Sequence, residues 1–222
     1  VAPAFPPPPT GVAPARSVPP VGEDGSILEQ YRPAPAIVIT HESVVEGETA
    51  ERLYEAYRAN FEPLGQVSVF KQFDGHDEML AQFADPRILK IVAWQAGVPV
   101  GLGMITNELE TVPEVAPEFL RLRYPDHAAR NAIYIGMYVM VSPTLRSKTL
   151  TARLYTEMWQ VPARNGGIIV YDVCEYNRQK YDTDTLNQVL ASMFPHSSAS
   201  ILDHQTWYVA ELPEPIADPP SR

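Results

Sequence analysis

The stretch YVMVSPTLRSKTLTARLYTEM, residues 138–158, reads as strand, turn and helix without one glycine. A helix that opens straight from a strand points its unpaired first-turn N–H groups and its positive dipole end at the turn. That frame holds phosphates well. Glycine usually lines it, because glycine lets the backbone approach an anion closely and adopt positive φ. This stretch carries Ser147, Thr149 and Thr151 instead, with Arg146 and Lys148 able to add charge-assisted hydrogen bonds. Two readings stand: an altered anion cradle, or a plain strand–turn–helix with Thr149 as the helix cap.

Outward from this stretch, the chain alternates strand and helix signals. AIVITHESV, residues 36–44, has a β-branched core. A helix follows over 48–61, with Leu53, Tyr57 and Phe61 in one apolar stripe and Thr49 at its N-cap. Residues 74–86 read as a second helix capped by Asp74 and stopped by Pro86. Two strands, 88–94 and 98–109, flank Gln95-Ala96-Gly97 and predict a hairpin. Residues 115–131 form a partly helical insertion, and the apolar run 132–141 predicts a central strand covered on both faces. Tyr134 and Tyr138 should then lie on the face opposite Ile135 and Met137.

After the opening stretch, Leu150, Leu154, Met158 and Val161 share one helix face, and Gly166-Gly167 ends the helix. Residues 168–173 predict a buried strand. Residues 185–194 predict a helix with Leu186, Val189, Leu190 and Met193 inward, and TWYVAEL, 206–212, predicts a closing strand. A strand–helix–strand unit implies a right-handed parallel crossover, and the hairpin implies antiparallel pairing. The expected class is α/β, a mixed and mostly antiparallel sheet with helices on both faces.

The ends differ from this middle. Ten of the 23 prolines fall in residues 1–35 and four more in 213–220. Proline lacks an N–H and fixes φ, so these stretches read as extended arms around a domain of residues 36–212. They are either solvated tails or docking arms for a protein partner or a second copy. The formal net charge of −10 argues against a nucleic-acid partner. One cysteine, Cys174, allows no disulfide within the chain and no cysteine-built metal site. The five histidines show no metal-ligand spacing, and no metal is expected. No apolar run reaches 18 residues, so no membrane-spanning helix is expected. A cytoplasmic location is expected, with a virion or other large particle as the alternative.

The element order, with Val141, Pro143 and Arg146 followed by Leu150 and Leu154, resembles the GNAT superfamily of acyl-CoA-dependent N-acyltransferases over about residues 36–212. In that family the loop reads V-x-P-x-x-R-G-x-G-x-G/A. Val173 and Asn177 are similar to its V-x-x-x-N further on. The resemblance implies an acyl-CoA or acyl-carrier donor bound by Met140, Val141, Arg146, Ser147, Lys148, Thr149, Leu150, Thr151 and Asn177. It also implies a small-molecule or protein amine acceptor beside Tyr57, Asn60 and Phe61. The family often sets a Glu or His base where this chain has Ile135 and Met137, and an acid Tyr where it has Asp184. The remaining candidates are Glu108 and Glu110, which could activate an amine through water, and Tyr181 as the acid. The implied activity is acyl transfer to an amine. The alternatives are a sensor that binds CoA without turnover, and a non-catalytic structural component of an oligomer or virion held by its proline arms.

Overall fold

Residues 35–69, 73–145 and 147–211 are described by a computed structural model of the chain. The proline-rich arms, Leu212 and Arg146 lie outside them. Five strands form one sheet in chain order: β1 Ile37–Glu42, β2 Leu89–Gln95, β3 Val98–Thr106, β4 Ile133–Val141 and β5 Ile168–Val170. The first three pairings are antiparallel and β4–β5 is parallel. The helices are α1 Gly47–Phe61, α2 His76–Ala84, α3 Pro117–Arg123, α4 Pro125–Ala128, α5 Lys148–Arg164, α6 Glu175–Lys180 and α7 Thr183–Ser192.

The hairpin β2–β3 turns at Ala96 and Gly97, with φ of 50° and 77°. Two left-handed residues in a row match the right-handed twist of the flanking strands. One face of the sheet packs Val92, Leu102, Met104 and Met140 against Leu53, Tyr57, Met79 and Phe83 of α1 and α2. The other packs Ile91, Ala93, Ile105 and Tyr134 against Leu150, Leu154 and Met158 of α5. Each such side chain, fully buried, contributes about 1.5–3 kcal/mol. Gly101 lets α5 come this close, since a Cβ there would sit 2.9 Å from Leu154 Cδ1. The insertion covers the rest of the first face, with Leu109, Val112 and Leu120 on Ile133 and Ile135.

Several expectations are corrected. Thr49 lies inside α1, whose N-cap position is Glu46. Asp74 does not cap α2. Gly75 occupies that position, and the Glu78 carboxylate accepts its N–H at 3.0 Å. Ser147, not Thr149, caps α5, its Oγ accepting the Leu150 N–H at 3.2 Å. The strand expected over 168–173 stops at Val170. In α7 the seam is Leu190 and Ala191 on Trp159, which leaves Val189 and Met193 exposed. Residues 206–211 form no strand, and among the described residues no strand lies beside them to supply a ladder.

Lys90 is fully buried in β2 and donates to the carbonyls of Ser43 and Asp85 at 2.9 and 2.5 Å. Burial pushes its ammonium down to about 8, against the raising pull of Asp85. Between pH 8 and 10 the unfolded chain therefore binds this proton and the folded chain does not, so stability rises with pH. Tyr57, pushed up to about 12 by burial, reverses the trend only above pH 10. Denaturant titrations across this window should show an upward slope that Lys90→Met removes. An equal slope in both proteins would contradict this placement of Lys90.

Candidate functional site

β4 parts from β5 half-way along. The two pair only from Ile133↔Ile168 to Ile135↔Val170, which leaves Gly136–Val141 without a β5 partner. At the same point β4 carries a bulge. Met104 faces Tyr138 and Ile105 faces Gly136, so Met137 is the extra residue. Beyond it, Ser142 N–H donates to Val100 C=O at 2.8 Å. In an antiparallel ladder the hydrogen-bonded pairs alternate, so Met140 and Tyr138 also face β3 while Val139 and Val141 turn their N–H and C=O to the vacated edge. The Val141 carbonyl there accepts Asn60 Nδ2 at 3.1 Å. Gly136 sits at the fork, where a Cβ would lie 3.3 Å from Ile169 Cδ1.

The turn after β4 explains its missing glycines. None of its described residues, 142–145 and 147, has positive φ, so none of these needs glycine for a left-handed backbone. Ser142 C=O accepts Leu145 N–H at 2.9 Å, and the Ser142 and Thr144 hydroxyls share a hydrogen bond of 2.9 Å. At the start of α5, Ser147 Oγ takes the Leu150 N–H, and the Thr151 hydroxyl turns back to the Ser147 carbonyl at 3.2 Å. The N–H groups of Lys148 and Thr149 have no acceptor within the helix, and both residues are exposed. The helix end thus offers two backbone donors and the Lys148 ammonium. Leu150 is buried under the sheet and lines no opening.

An aromatic layer fixes the second half of β4. Tyr57 is fully buried and stacks on Phe61 and Phe73 with ring centres 4.9 and 5.4 Å apart. Tyr138 meets Tyr57 edge-on at 5.1 Å. Its hydroxyl donates to Asp74 Oδ2 at 2.7 Å, and Gln82 Nε2 donates to the same oxygen at 3.0 Å. Asp74 N–H donates to the Tyr57 hydroxyl at 2.8 Å. Burial raises the pKa of both phenols, that of Tyr138 well above the ordinary tyrosine value, so each stays protonated in neutral solution. The Met137 bulge accounts for a further correction. Tyr134 and Tyr138 were expected on one face, but the extra residue reverses the alternation. Tyr134 packs on the α5 side and Tyr138 on the α1–α2 side, with Met137.

Of the expected site residues, Tyr57, Asn60, Phe61, Met140 and Val141 come together along the second half of β4. Ser147, Lys148 and Thr149 sit at the α5 N-terminus. The expected acid–base residues have other partners. Glu110 is ion-paired with Arg121, whose hydrogen bond holds the carboxyl below its usual range. Glu108 is exposed beyond β3, and Tyr181 is 61% exposed beside the Lys180 ammonium. Asn177 lies half-buried in α6, and Asp184 is ion-paired with Arg178. Asp74 and the bulge were missed. The Asp-Gly pair before α2 reads as a cap, and nothing local in IYIGMYVMV marks an extra residue. An open groove lined by Glu51, Arg52, Glu55, Val98, Pro99, Ser142 and Thr144 adjoins the end of β4. Among the described residues no cluster of His, Cys, Asp or Glu could hold a metal ion, and no helix is long and apolar enough to cross a membrane.

The chain path is similar to those of solved acetyltransferases. An N-acetyltransferase from Staphylococcus aureus Mu50 matches with a TM-score of 0.48 and 13% identity, over 68% of this chain and 81% of that one. The aminoglycoside N-acetyltransferase AAC(6')-Iy in complex with CoA matches at 0.45 and 12%, over 77% and 95%. A ribosomal-protein-alanine N-acetyltransferase from Brucella melitensis biovar Abortus 2308 matches at 0.43 and 11%, over 79% and 100%. No protein-family model and no curated protein sequence matches the chain. These likenesses are of fold alone, and the chemistry below rests on this chain's own side chains.

Removing the Tyr138 hydroxyl takes a donor from the Asp74 carboxylate. Hydrogen bonds to charged groups contribute about 1.5–3 kcal/mol. Tyr138→Phe should lose that much in chemical denaturation, while Tyr181→Phe should lose close to nothing. Equal stability of the two variants would contradict the role given to Asp74.

Proposed function

We propose that this domain binds an acyl thioester, carried by CoA or by the pantetheine arm of a carrier protein, along the free edge of β4, and passes the acyl group to an amine. The observation that carries this reading is the parting of β4 from β5 at the Met137 bulge, which exposes a row of backbone donors and acceptors inside a folded domain. A pantetheine arm has amides at strand-like spacing, and an unpaired strand edge pairs with such a ligand as with another strand.

The residues present fit that arm more fully than they fit the pyrophosphate. Val139 and Val141 would hold its amides, and the N–H groups of Lys148 and Thr149, with the Lys148 ammonium, would hold its phosphates. When bound, the thioester supplies the activated acyl group. Ile135 and Met137, where a base could stand, are apolar. The chain therefore positions the reactants and excludes water, and the acceptor has to arrive as the free amine. Transfer should rise with pH in step with the acceptor's own deprotonation and level off above the acceptor's pKa. The second reading, binding without turnover in a sensor or an assembly component, is favoured by the same apolar pair and by the engagement of Glu110 with Arg121.

Calorimetric titration with acetyl-CoA and with pantetheine tests the site. Val139→Pro removes one free-edge N–H without touching the β3 ladder, and should weaken both ligands at least about tenfold, or 1.4 kcal/mol. Thr149→Glu sets a negative charge at the helix end, and should weaken CoA while sparing pantetheine. Absence of heat from either ligand, with the fold intact, would overturn the proposal. Binding without acyl transfer to any amine across pH 6–10 would decide for the second reading.

A further inference from the structure

β5 ends at Val170, but the chain just beyond it keeps the alternation of a strand. Ile168 and Val170 pack in the cluster under the insertion, on the first face of the sheet. Ile169 and Tyr171 pack toward Trp159 of α5, on the other. Asp172 is the next residue on the first face. Had the β4–β5 pairing gone on from Ile135↔Val170, the partner of Asp172 would be Met137. Register partners in a sheet stand side by side on one face. Asp172 therefore stands across the fork from the bulge, on the face that also carries Met137 and Tyr138.

Asp172 is exposed to solvent. Desolvation by the surrounding chain nevertheless raises its carboxyl above the usual aspartate range, opposed by a hydrogen bond from its own backbone. A carboxyl that meets water and is still desolvated lines a cleft, not a convex surface. The basic groups that follow it in sequence are engaged elsewhere. Arg178 pairs with Glu175 and Asp184, and Lys180 donates to the Tyr176 hydroxyl. Among the described residues no basic side chain pairs with Asp172. The fork thus has backbone donors and acceptors on one wall and an un-neutralised carboxylate on the other.

We infer that Asp172 anchors a positive charge on the acceptor, and that the acceptor is a diamine, with one ammonium on the Asp172 carboxylate and a second, neutral nitrogen at the thioester. The inference rests on the thioester reading of the β4 edge. With the phosphates at Lys148 and Thr149 and the amides at Val141 and Val139, the reacting end of the arm falls at Met137, opposite Asp172. A monoamine would sit on the carboxylate as an ammonium, charged at the very nitrogen that has to react, and neither Ile135 nor Met137 can take its proton. A diamine escapes this. One ammonium satisfies Asp172, and repulsion between like charges favours loss of the proton from the other nitrogen. That nitrogen attacks the thioester carbonyl. A C–N bond forms, the C–S bond breaks, and the surplus proton on nitrogen leaves with the thiolate as the free thiol.

Calorimetric titration of the full chain with diaminobutane and with butylamine separates charge anchoring from amine binding in general. The diamine should bind at least about tenfold more tightly. Asp172→Asn should bring the two amines to equal affinity and leave pantetheine binding as it is in the parent. Carboxyl NMR of the parent gives a readout that needs no variant: saturating diaminobutane should lower the pKa of Asp172, as a neighbouring cation does. No heat from the diamine, equal affinity of the parent for both amines, or a preference that survives Asp172→Asn would overturn the inference. Heat from the diamine with none from pantetheine or acetyl-CoA would support the cation anchor and overturn the thioester reading instead.

Discussion

The site depends on one extra residue. Met137 has no counterpart on β3, and that single insertion reverses which side chains face α1 and α2 just where pairing with β5 ends, beyond which Val139 and Val141 turn their backbone groups to the edge that β5 leaves. Buried backbone N–H and C=O groups are almost always paired, so an edge left open within a domain is costly unless water or a ligand meets it. The rest of the fold holds that edge open. α5 packs Met158 against Gly136 at the fork, and α7 packs on α5 rather than on β4.

The second half of β4 would be free to close on β5 without support from the opposite face. Tyr57, Phe61, Phe73 and Tyr138 give that support as a stacked layer, and Asp74 ties the layer to α2 through Gln82. Asn60 completes it by reaching the Val141 carbonyl. The residues that form the floor of the site are thus also those that hold its shape. Their phenols are too strongly held in the neutral form to serve as bases, which leaves positioning as the chain's contribution to any transfer.

Much of this was legible in the sequence. The α1 stripe of Leu53, Tyr57 and Phe61, the Ala96-Gly97 turn and the α5 face of Leu150, Leu154 and Met158 follow from helical period and turn chemistry, which are local. The bulge was not legible, because an extra residue in a β-branched run has no local signature and is decided by pairing with β3. Nor was the role of Asp74, since Asp before Gly and a helix reads as a cap until a tyrosine from 64 residues away claims its carboxylate. The strand expected at TWYVAEL has the right composition, but a strand is a relation between two segments, and no second segment pairs with it among the described residues. The glycine-free turn needed geometry to interpret: its described backbone stays out of the left-handed region, so glycine has no conformational task there.

The most direct test is amide NMR of β4 during titration with pantetheine. The free-edge assignment predicts that the N–H resonances of Val139 and Val141 move and become protected from exchange, while those of Tyr138 and Met140, bonded to β3, stay in place. Saturating ligand that leaves Val139 and Val141 unmoved, or shifts all four alike, would contradict the account.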